Sequence, residues 1–398
     1  MTYRFIVKNG RTTISRDGKI LLSIGYDGGL EVKLFYDFRE APLTLRAKAD
    51  RGDSAAIVLC PCRVGLYVNG QLLDEEWGFG NISLDGEISG DIELEASESA
   101  PENKNPLLCG VKVDELRRPG VNVGDCMPFG DADGSFHLFW LYDRHHHCSK
   151  WGLGAHQWAH AKTTDLVHWD ELPMAISITD PIEGSICTGS VIRCDDRYRA
   201  WYTVRMSDGS PARVSVAFSK DNREYMKSGD FFTLPERYHQ PSARDPKAIF
   251  IDGRYHLLLT TTELSSGKGC LAHLVSDDPD MKDFEDLGPV IVWNDSSQPE
   301  CPDWFEMGGR YYLVWSIGGR ARYAFSDEPF GEGGWTIPED NIIDCGSVPK
   351  SAVIGTDCEY KGERIFVGMV GEDGGYAGHV VMKRTVQKPD GRLEFVEI

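Results

Sequence analysis

Three acidic residues sit in constrained, proline- or cysteine-bearing stretches at the entrance to apolar runs. Glu300 stands in "SQPECPDWFEMGGRYYLVW" (297–315), Asp245 in "SARDPKAIF" and Asp125 in "VGDCMPF". Glu300 lies 11 residues before Tyr311, Asp245 lies 10 before Tyr255 and Asp125 lies 11 before Phe136. Carboxylates crowded into one hollow cannot all stay ionised, and the crowding raises the pKa of at least one of them. That arrangement supplies a proton donor beside ionised carboxylates, as general acid–base and nucleophilic chemistry require. Burying acids together is costly unless they are paired or used. Any one of them alone reads equally well as a turn cap. Three nearly in register, each beside a cysteine or a proline, favour a shared site.

The elements that must position these acids recur along the chain. "DGSFHLFWLY" (133–142), "DDRYRAWYTV" (195–204), "DGRYHLLLTT" (252–261), "GGRYYLVWSI" (308–317) and "KGERIFVGMV" (361–370) align with Gly134, Asp196, Gly253, Gly309 and Gly362 in one column. The separations are 62, 57, 56 and 53 residues. Each unit opens with a tight turn and continues as a buried strand. Most are followed by a second strand with a polar turn, as in "AHAKTTDLVHW" (159–169) and "AHLVSDDPDMKDF" (272–284). Five units, each too short to bury its own face, predict a five-bladed β-propeller over residues 118–398. The terminal "RLEFVEI" is expected to complete the last blade. The acids fall on the strand before each hairpin turn, which is the innermost strand of a blade.

Residues 1–100 read as a separate β-sandwich-like domain. Short alternating runs such as "YRFIV", "EVKLFYDF" and "RVGLYVNGQLL" are punctuated by Asp17-Gly18, Asp27-Gly28 and Asn69-Gly70. The polar, proline-bearing stretch after it makes residues 101–117 a linker. The fold class is therefore all-β, a small antiparallel sandwich ahead of a propeller. An apolar fraction of 41% supplies a large core, and 43 glycines suit a turn-rich chain. Acids outnumber bases 62 to 42, and a net charge of −20 argues against nucleic acid or an anionic membrane as partner. A small neutral substrate fits better. No run approaches ~18 apolar residues and no signal peptide is read. The 11 scattered cysteines then read as reduced thiols of a cytoplasmic protein. Oligomer formation is left open.

The motifs around the acids carry a resemblance. "ARDP" (243–246) and "ECPD" (300–303) resemble the R-D-P and E-C-P motifs of glycoside hydrolase family 32, the β-fructofuranosidases. "TGSV" (188–191) resembles that family's S-G-S-A segment, and "WGLGAHQWAHAKTTDLVHW" (151–169) resembles its W-G-H-A-x-S-x-D-L-V-H-W segment. The resemblance covers roughly residues 118–340. Two departures stand out. The family's D-P-N-G motif reads "GDCMPF" here, with Gly124 in place of the usual Asn. The family's sandwich normally follows the propeller, whereas here a sandwich-like domain precedes it.

The resemblance implies a retaining double displacement on a β-fructofuranoside. Asp125 would be the nucleophile, Glu300 the acid and then the base, and Asp245 the stabiliser of the oxocarbenium-like transition state. A retaining pair implies carboxyl groups about 5–5.5 Å apart. Arg244, Trp151, Gln157, Trp158, Thr188 and Trp304 are the expected substrate contacts, since an aromatic wall suits the apolar face of a sugar. Trp169, Trp201 and Trp315 fit the core. Arg205, Arg213 and Lys247 are the cations available to a phosphorylated substrate. "RHHHCSK" (144–150) invites a metal reading, but three adjacent histidines on a strand alternate sides, so no metal and no cofactor is expected. An inverting arabinosidase of a neighbouring five-bladed family and a non-catalytic sugar-binding protein are the competing readings.

Overall fold

Alternating apolar and polar residues set the chain into strands almost throughout. The computed structural model describes residues 1–398 apart from 38–39, 61–62, 78–83, 98–110, 113–120, 145–155, 178–182, 207–209, 356–359 and 372–375. Among the described residues, a three-residue 3-10 turn at Gln240–Ser242 is the one helical element. No helix among them is long and apolar enough to cross a membrane. Contacts divide the chain into two units, Met1–Leu107 with Ile178–Glu183, and Leu108–Ser177 with Gly184–Ile398.

The first unit contains β1 (Thr2–Ile6), β2 (Gly10–Arg16), β3 (Lys19–Tyr26), β4 (Leu30–Leu34), β5 (Leu43–Ala47), β6 (Ser54–Cys60), β7 (Arg63–Val68), β8 (Gln71–Trp77), β9 (Glu87–Gly90) and β10 (Glu95–Ser97). They form two five-stranded antiparallel sheets, ordered β5-β4-β3-β2-β9 and β10-β1-β6-β7-β8. Ile14, Leu22, Ile24 and Val32 of the first sheet share one core with Phe5, Ile57 and Leu66 of the second. Asp17-Gly18 and Asn69-Gly70 both take positive φ at both residues, as the favoured two-residue hairpin turns require.

The second unit repeats one sheet plan. Its strands are β11 (Val111–Lys112), β12 (Val121–Gly130), β13 (Phe136–Arg144), β14 (Trp158–Thr163), β15 (His168–Ile176), β16 (Glu183–Cys194), β17 (Arg197–Met206), β18 (Arg213–Ser219) and β19 (Met226–Lys227). They continue with β20 (Arg244–Ile251), β21 (Arg254–Glu263), β22 (Lys268–Ser276), β23 (Glu285–Val292), β24 (Glu300–Met307), β25 (Arg310–Ile317), β26 (Arg320–Ser326), β27 (Ser347–Val353), β28 (Arg364–Gly371), β29 (Gly378–Gln387) and β30 (Leu393–Val396). Consecutive strands pair as β12 to β15, β16 to β19, β20 to β23, β24 to β26 and β27 to β29, with β30 on β29 as the C-terminal pattern predicts. The first and last groups join through the pairing of Val123 with Gly378. Gly134, Gly253, Gly309 and Gly362, aligned from sequence, all have positive φ.

The first strands of the groups are tied one to the next. Thr188 of β16 bonds Asp125 of β12, and Ser190 of β16 bonds the Pro246 carbonyl of β20. The Cys301 N–H of β24 bonds Asp245 of β20, and the Ser351 N–H of β27 bonds Asp303 of β24. β27 in turn packs against β12.

Four of these first strands carry the same irregularity. The pairing skips a residue between Val123 and Cys126, between Arg244 and Lys247, between Glu300 and Asp303, and between Ser347 and Lys350. Each is a bulge, with two residues facing one on the partner strand, which bends the strand and re-aims side chains. Asp245, Cys301 and Val348 hold the second place of their bulges at φ 55, 51 and 41°, each followed by a proline that has no N–H to leave unpaired. Of the fourth places, Cys126, Asp303 and Lys350 are buried and Lys247 is half-buried. Lys247 Nζ lies 2.5 Å from Asp303 Oδ1, and Lys350 Nζ donates to the Gly189 carbonyl at 2.8 Å. Burial opposes ionisation of Asp303, but the Lys247 ammonium and the Ser351 N–H hold its carboxyl below the usual range.

Two histidine pairs occupy matching places in two groups. His137 and His160 approach at 2.8 Å on β13 and β14, and His256 and His273 at 2.8 Å on β21 and β22. Phe139 faces His160 across the ladder as Leu258 faces His273. Burial pushes His256 and His137 down to about 4 and His273 to about 3, with the neighbouring His256 adding to the depression of His273.

Both arrangements predict stability changes. Removing one member of a buried ion pair strands the other, so Lys247→Met should cost about 3–5 kcal/mol, read by denaturant melts, with Lys247→Met/Asp303→Asn costing less than the single change. The histidines stay neutral in the folded chain while the unfolded chain takes up protons near pH 6.5. Stability should therefore fall as pH drops from about 6.5 towards 4. His256→Phe/His273→Leu should flatten that slope by on the order of 1–2 kcal/mol when melts at pH 7 and pH 4.5 are compared.

Candidate functional site

The bulges deliver the acids to one cavity. A hollow of about 600 Å3 in the second unit is lined by Asp125, Asp245 and Glu300 together with Thr188, Arg205, Arg244, Cys301 and Tyr376. The three acids do not share one column, as the residue counts suggested. Glu300 holds the first place of its bulge, Asp245 the second and Asp125 the third. The count hid the offset of Asp125 because the β12–β13 loop has five residues (131–135), whereas the β20–β21 and β24–β25 turns have two; Glu300 and Asp245, at 11 and 10, already differ by one.

Each carboxylate is held differently. Asp125 accepts from Thr188 Oγ1 at 2.6 Å on Oδ2 and from the Tyr376 hydroxyl at 2.8 Å on Oδ1. The Cys301 thiol points at Oδ2 from 3.8 Å. Asp245 is 4% exposed and accepts the Cys301 N–H at 3.0 Å, while its own N–H donates to Thr203 Oγ1 at 3.2 Å. Glu300 is more open, and its Oε1 accepts from the Arg244 guanidinium at 3.0 Å. A second guanidinium nitrogen of Arg244 lies 3.7 Å from Asp245, so one cation spans two acids. Gln298 and the Ser242 carbonyl fix its orientation.

These surroundings set Glu300 apart. Burial raises its pKa, Asp245 adds to the rise, Arg244 pulls it back and Asp125 pushes it up again, leaving a carboxyl above its ordinary range. Burial, with Asp245 and Asp125 adding to it, pushes the Cys301 thiol far up, so it stays a protonated donor. The site thus combines a carboxylate held at both oxygens, a second held by a main-chain N–H, and a third group inclined to carry a proton.

The other predicted residues divide. Thr188 and Arg244 line the cavity, as does His156, whose ring lies 3.1 Å from buried Asp143. Gln157, Trp158 and Trp304 do not. Trp158 is fully buried with its indole N–H on the Cys187 carbonyl. Gln157 is fully buried one residue earlier. Trp304 stacks on Tyr311 and Phe330 and donates to the Pro329 carbonyl. Proximity to a motif placed them in the wall, but the two rings pack on their own strands and the amide is buried just ahead of β14. Trp151 and the histidines at 145–147 lie outside the described residues. Trp169, Trp201 and Trp315 are core residues. Asp165 caps its own turn, accepting from the backbone of Val167 and His168. Of the three cations considered for a phosphate, Arg205 lines the cavity, Lys247 is committed to Asp303 and Arg213 lies over Phe231. Sequence reasoning missed Tyr376, Thr203 and Gln298. Tyr376 sits in the glycine-rich "EDGGYAG" of the least regular repeat, where nothing in the residue pattern marks it.

Known proteins share this plan. The chain is 29% identical over 198 residues to sucrose-6-phosphate hydrolase of Bacillus subtilis (strain 168), a match covering 46% of this chain and 38% of the relative's length. The structure of fructan 1-exohydrolase IIa from Cichorium intybus in complex with 1-kestose superposes with a TM-score of 0.58 at 20% identity, over 74% of this chain and 61% of that one. A family 32 glycoside hydrolase from Bifidobacterium adolescentis gives 0.56 at 14% identity, over 100% of this chain and 74% of that one. The model of the glycosyl hydrolases family 32 N-terminal domain matches residues 125–331, a stretch that opens on Asp125 and takes in both Asp245 and Glu300. More than half the chain fits that model, the three cavity acids included, and the chain belongs to glycosyl hydrolase family 32.

Proposed function

We propose that this chain hydrolyses a β-fructofuranoside with retention of configuration. The observation that carries the reading is the single cavity on which Asp125, Asp245 and Glu300 converge from three separate strands. Asp125 attacks the anomeric carbon while Glu300 gives its proton to the departing oxygen, so the glycosidic bond breaks as the bond to the Asp125 carboxylate forms. Water then attacks the same carbon. Glu300, now ionised, takes a proton from that water and Asp125 departs as a carboxylate. Asp245 accepts hydrogen bonds from sugar hydroxyls and stabilises positive charge developing on the ring. Arg244 holds Glu300 towards the cavity and keeps Asp245 distinct from it.

Family membership supports a furanoside, and the names of the relatives narrow it. One is named for sucrose 6-phosphate and another binds 1-kestose. A sucrose-like sugar or a short fructo-oligosaccharide fits a cavity of about 600 Å3, with Arg205 available to a phosphorylated form. The cyclic ties between first strands support a five-bladed propeller, with the first unit as a sandwich-like domain ahead of it and a junction within residues 101–117. Cys126, Cys187, Cys194, Cys270, Cys301 and Cys345 are free thiols, which suits work in the reducing cytoplasm.

Glu300→Gln should lower turnover about 10²–10⁴-fold with an unchanged melting temperature. Equal activity in both proteins removes Glu300 from the mechanism. Sugar release from a panel of fructosides, arabinosides and xylosides separates the substrate classes. Arabinose as the main product would replace the fructoside reading, and binding without any turnover would leave a sugar-binding protein.

A further inference from the structure

Asp125 is gripped from the other end of the chain. Tyr376 lies just ahead of β29, two residues from the Gly378 that pairs with Val123. Its hydroxyl donates to Asp125 Oδ1 at 2.8 Å and in turn accepts the Asp125 main-chain N–H at 3.0 Å. One phenol therefore fixes both the backbone and the carboxylate of a single residue. Thr188 holds Oδ2 from the opposite side at 2.6 Å, which leaves the carboxylate plane little freedom to turn. The His156 ring, centred 5.5 Å from the Tyr376 ring, backs the phenol, and Asp245, Glu300, Cys301, Cys187, Arg205 and Arg244 also line that cavity.

The grip depends on Gly124. A Cβ at that position would stand 2.8 Å from the Tyr376 hydroxyl, 2.9 Å from Leu141 Cβ and 3.0 Å from the Leu141 carbonyl oxygen. Its backbone is outside the left-handed region, so glycine is required there by space and not by conformation. The same residue departs from the family's usual asparagine, and the room that a side chain would fill is occupied by the phenol.

We propose that Tyr376 is the positioning residue for the Asp125 carboxylate, and that Gly124 is the matched gap that admits it. The inference rests on the assignment of Asp125 as nucleophile. A carboxylate set at a fixed angle meets the anomeric carbon in line, and a loosened one loses the advantage of orientation. The effect belongs to the chemical step, while sugar binding rests on the other wall residues.

Tyr376→Phe should lower kcat on a fructoside about 10–100-fold, the loss expected for a hydrogen bond to a charged group, with KM within about twofold of wild type. Gly124→Ala should produce a comparable fall in kcat. In the Tyr376→Phe background its loss should be smaller than in wild type, because the oxygen at 2.8 Å is gone while the Leu141 contacts at 2.9 and 3.0 Å remain. A Tyr376→Phe enzyme with kcat within about twofold of wild type overturns the proposal, and so do equal losses from Gly124→Ala in both backgrounds. A stability cycle needs no turnover. The melting-temperature losses of Asp125→Asn and Tyr376→Phe should fail to add in the double variant by about 2 °C or more, and strict additivity also overturns the grip. A wild-type chain that cleaves no fructoside defeats the hydrolase reading, while the cycle still decides whether Tyr376 holds Asp125.

Discussion

The site depends on a bend in the strands that carry it. A regular ladder would send successive side chains to opposite faces, and half of a four-residue stretch would be turned away from the cavity. The extra residue at Gly124–Asp125, Asp245–Pro246, Cys301–Pro302 and Val348–Pro349 breaks that alternation at the same depth in four strands. The bend holds Asp245, Cys301 and Val348 in the left-handed region, which costs a β-branched residue such as Val348 most. Such strain persists only where the surroundings over-determine it. Here the determining contacts run from strand to strand, the Asp245 carboxylate on the Cys301 N–H being the clearest case.

The bends also sort charge by depth. Above lie the three acids and Arg244. Outside the cavity lining lie Asp303 and Lys350, both buried, and the half-buried Lys247 that pairs with Asp303. A lysine at each of two fourth places brings positive charge under a floor of carboxylates, so the buried layer answers the one above. Burial opposes the charged form of Lys350, and the neighbouring Cys301 and Asp245 act the other way. Glu300, at the first place and most open to the cavity, is the group left with a raised pKa.

Much of this was legible in the chain. The turn glycines at 134, 253, 309 and 362 identified the repeat because positive φ selects the residue type. The acids were legible because proline and cysteine fix their context. The bends were not, since a bulge is defined by what the partner strand does, and neither "RDP" nor "ECP" states its pairing. The placement of Trp158 and Trp304 failed for a related reason. A tryptophan near a motif fills a wall or a core according to which way its strand faces, and a one-residue bend reverses that. Tyr376 escaped notice because its contact to Asp125 spans 251 residues and follows no local period.

A kink with four seats, filled differently in each strand, has an evolutionary corollary. The glutamate takes seat one, one aspartate seat two and the other seat three, on the same backbone template. A functional group can thus migrate by one seat in one strand while the scaffold and the remaining groups stay put. New specificities become reachable by point replacement, without insertion, deletion or redesign of the frame.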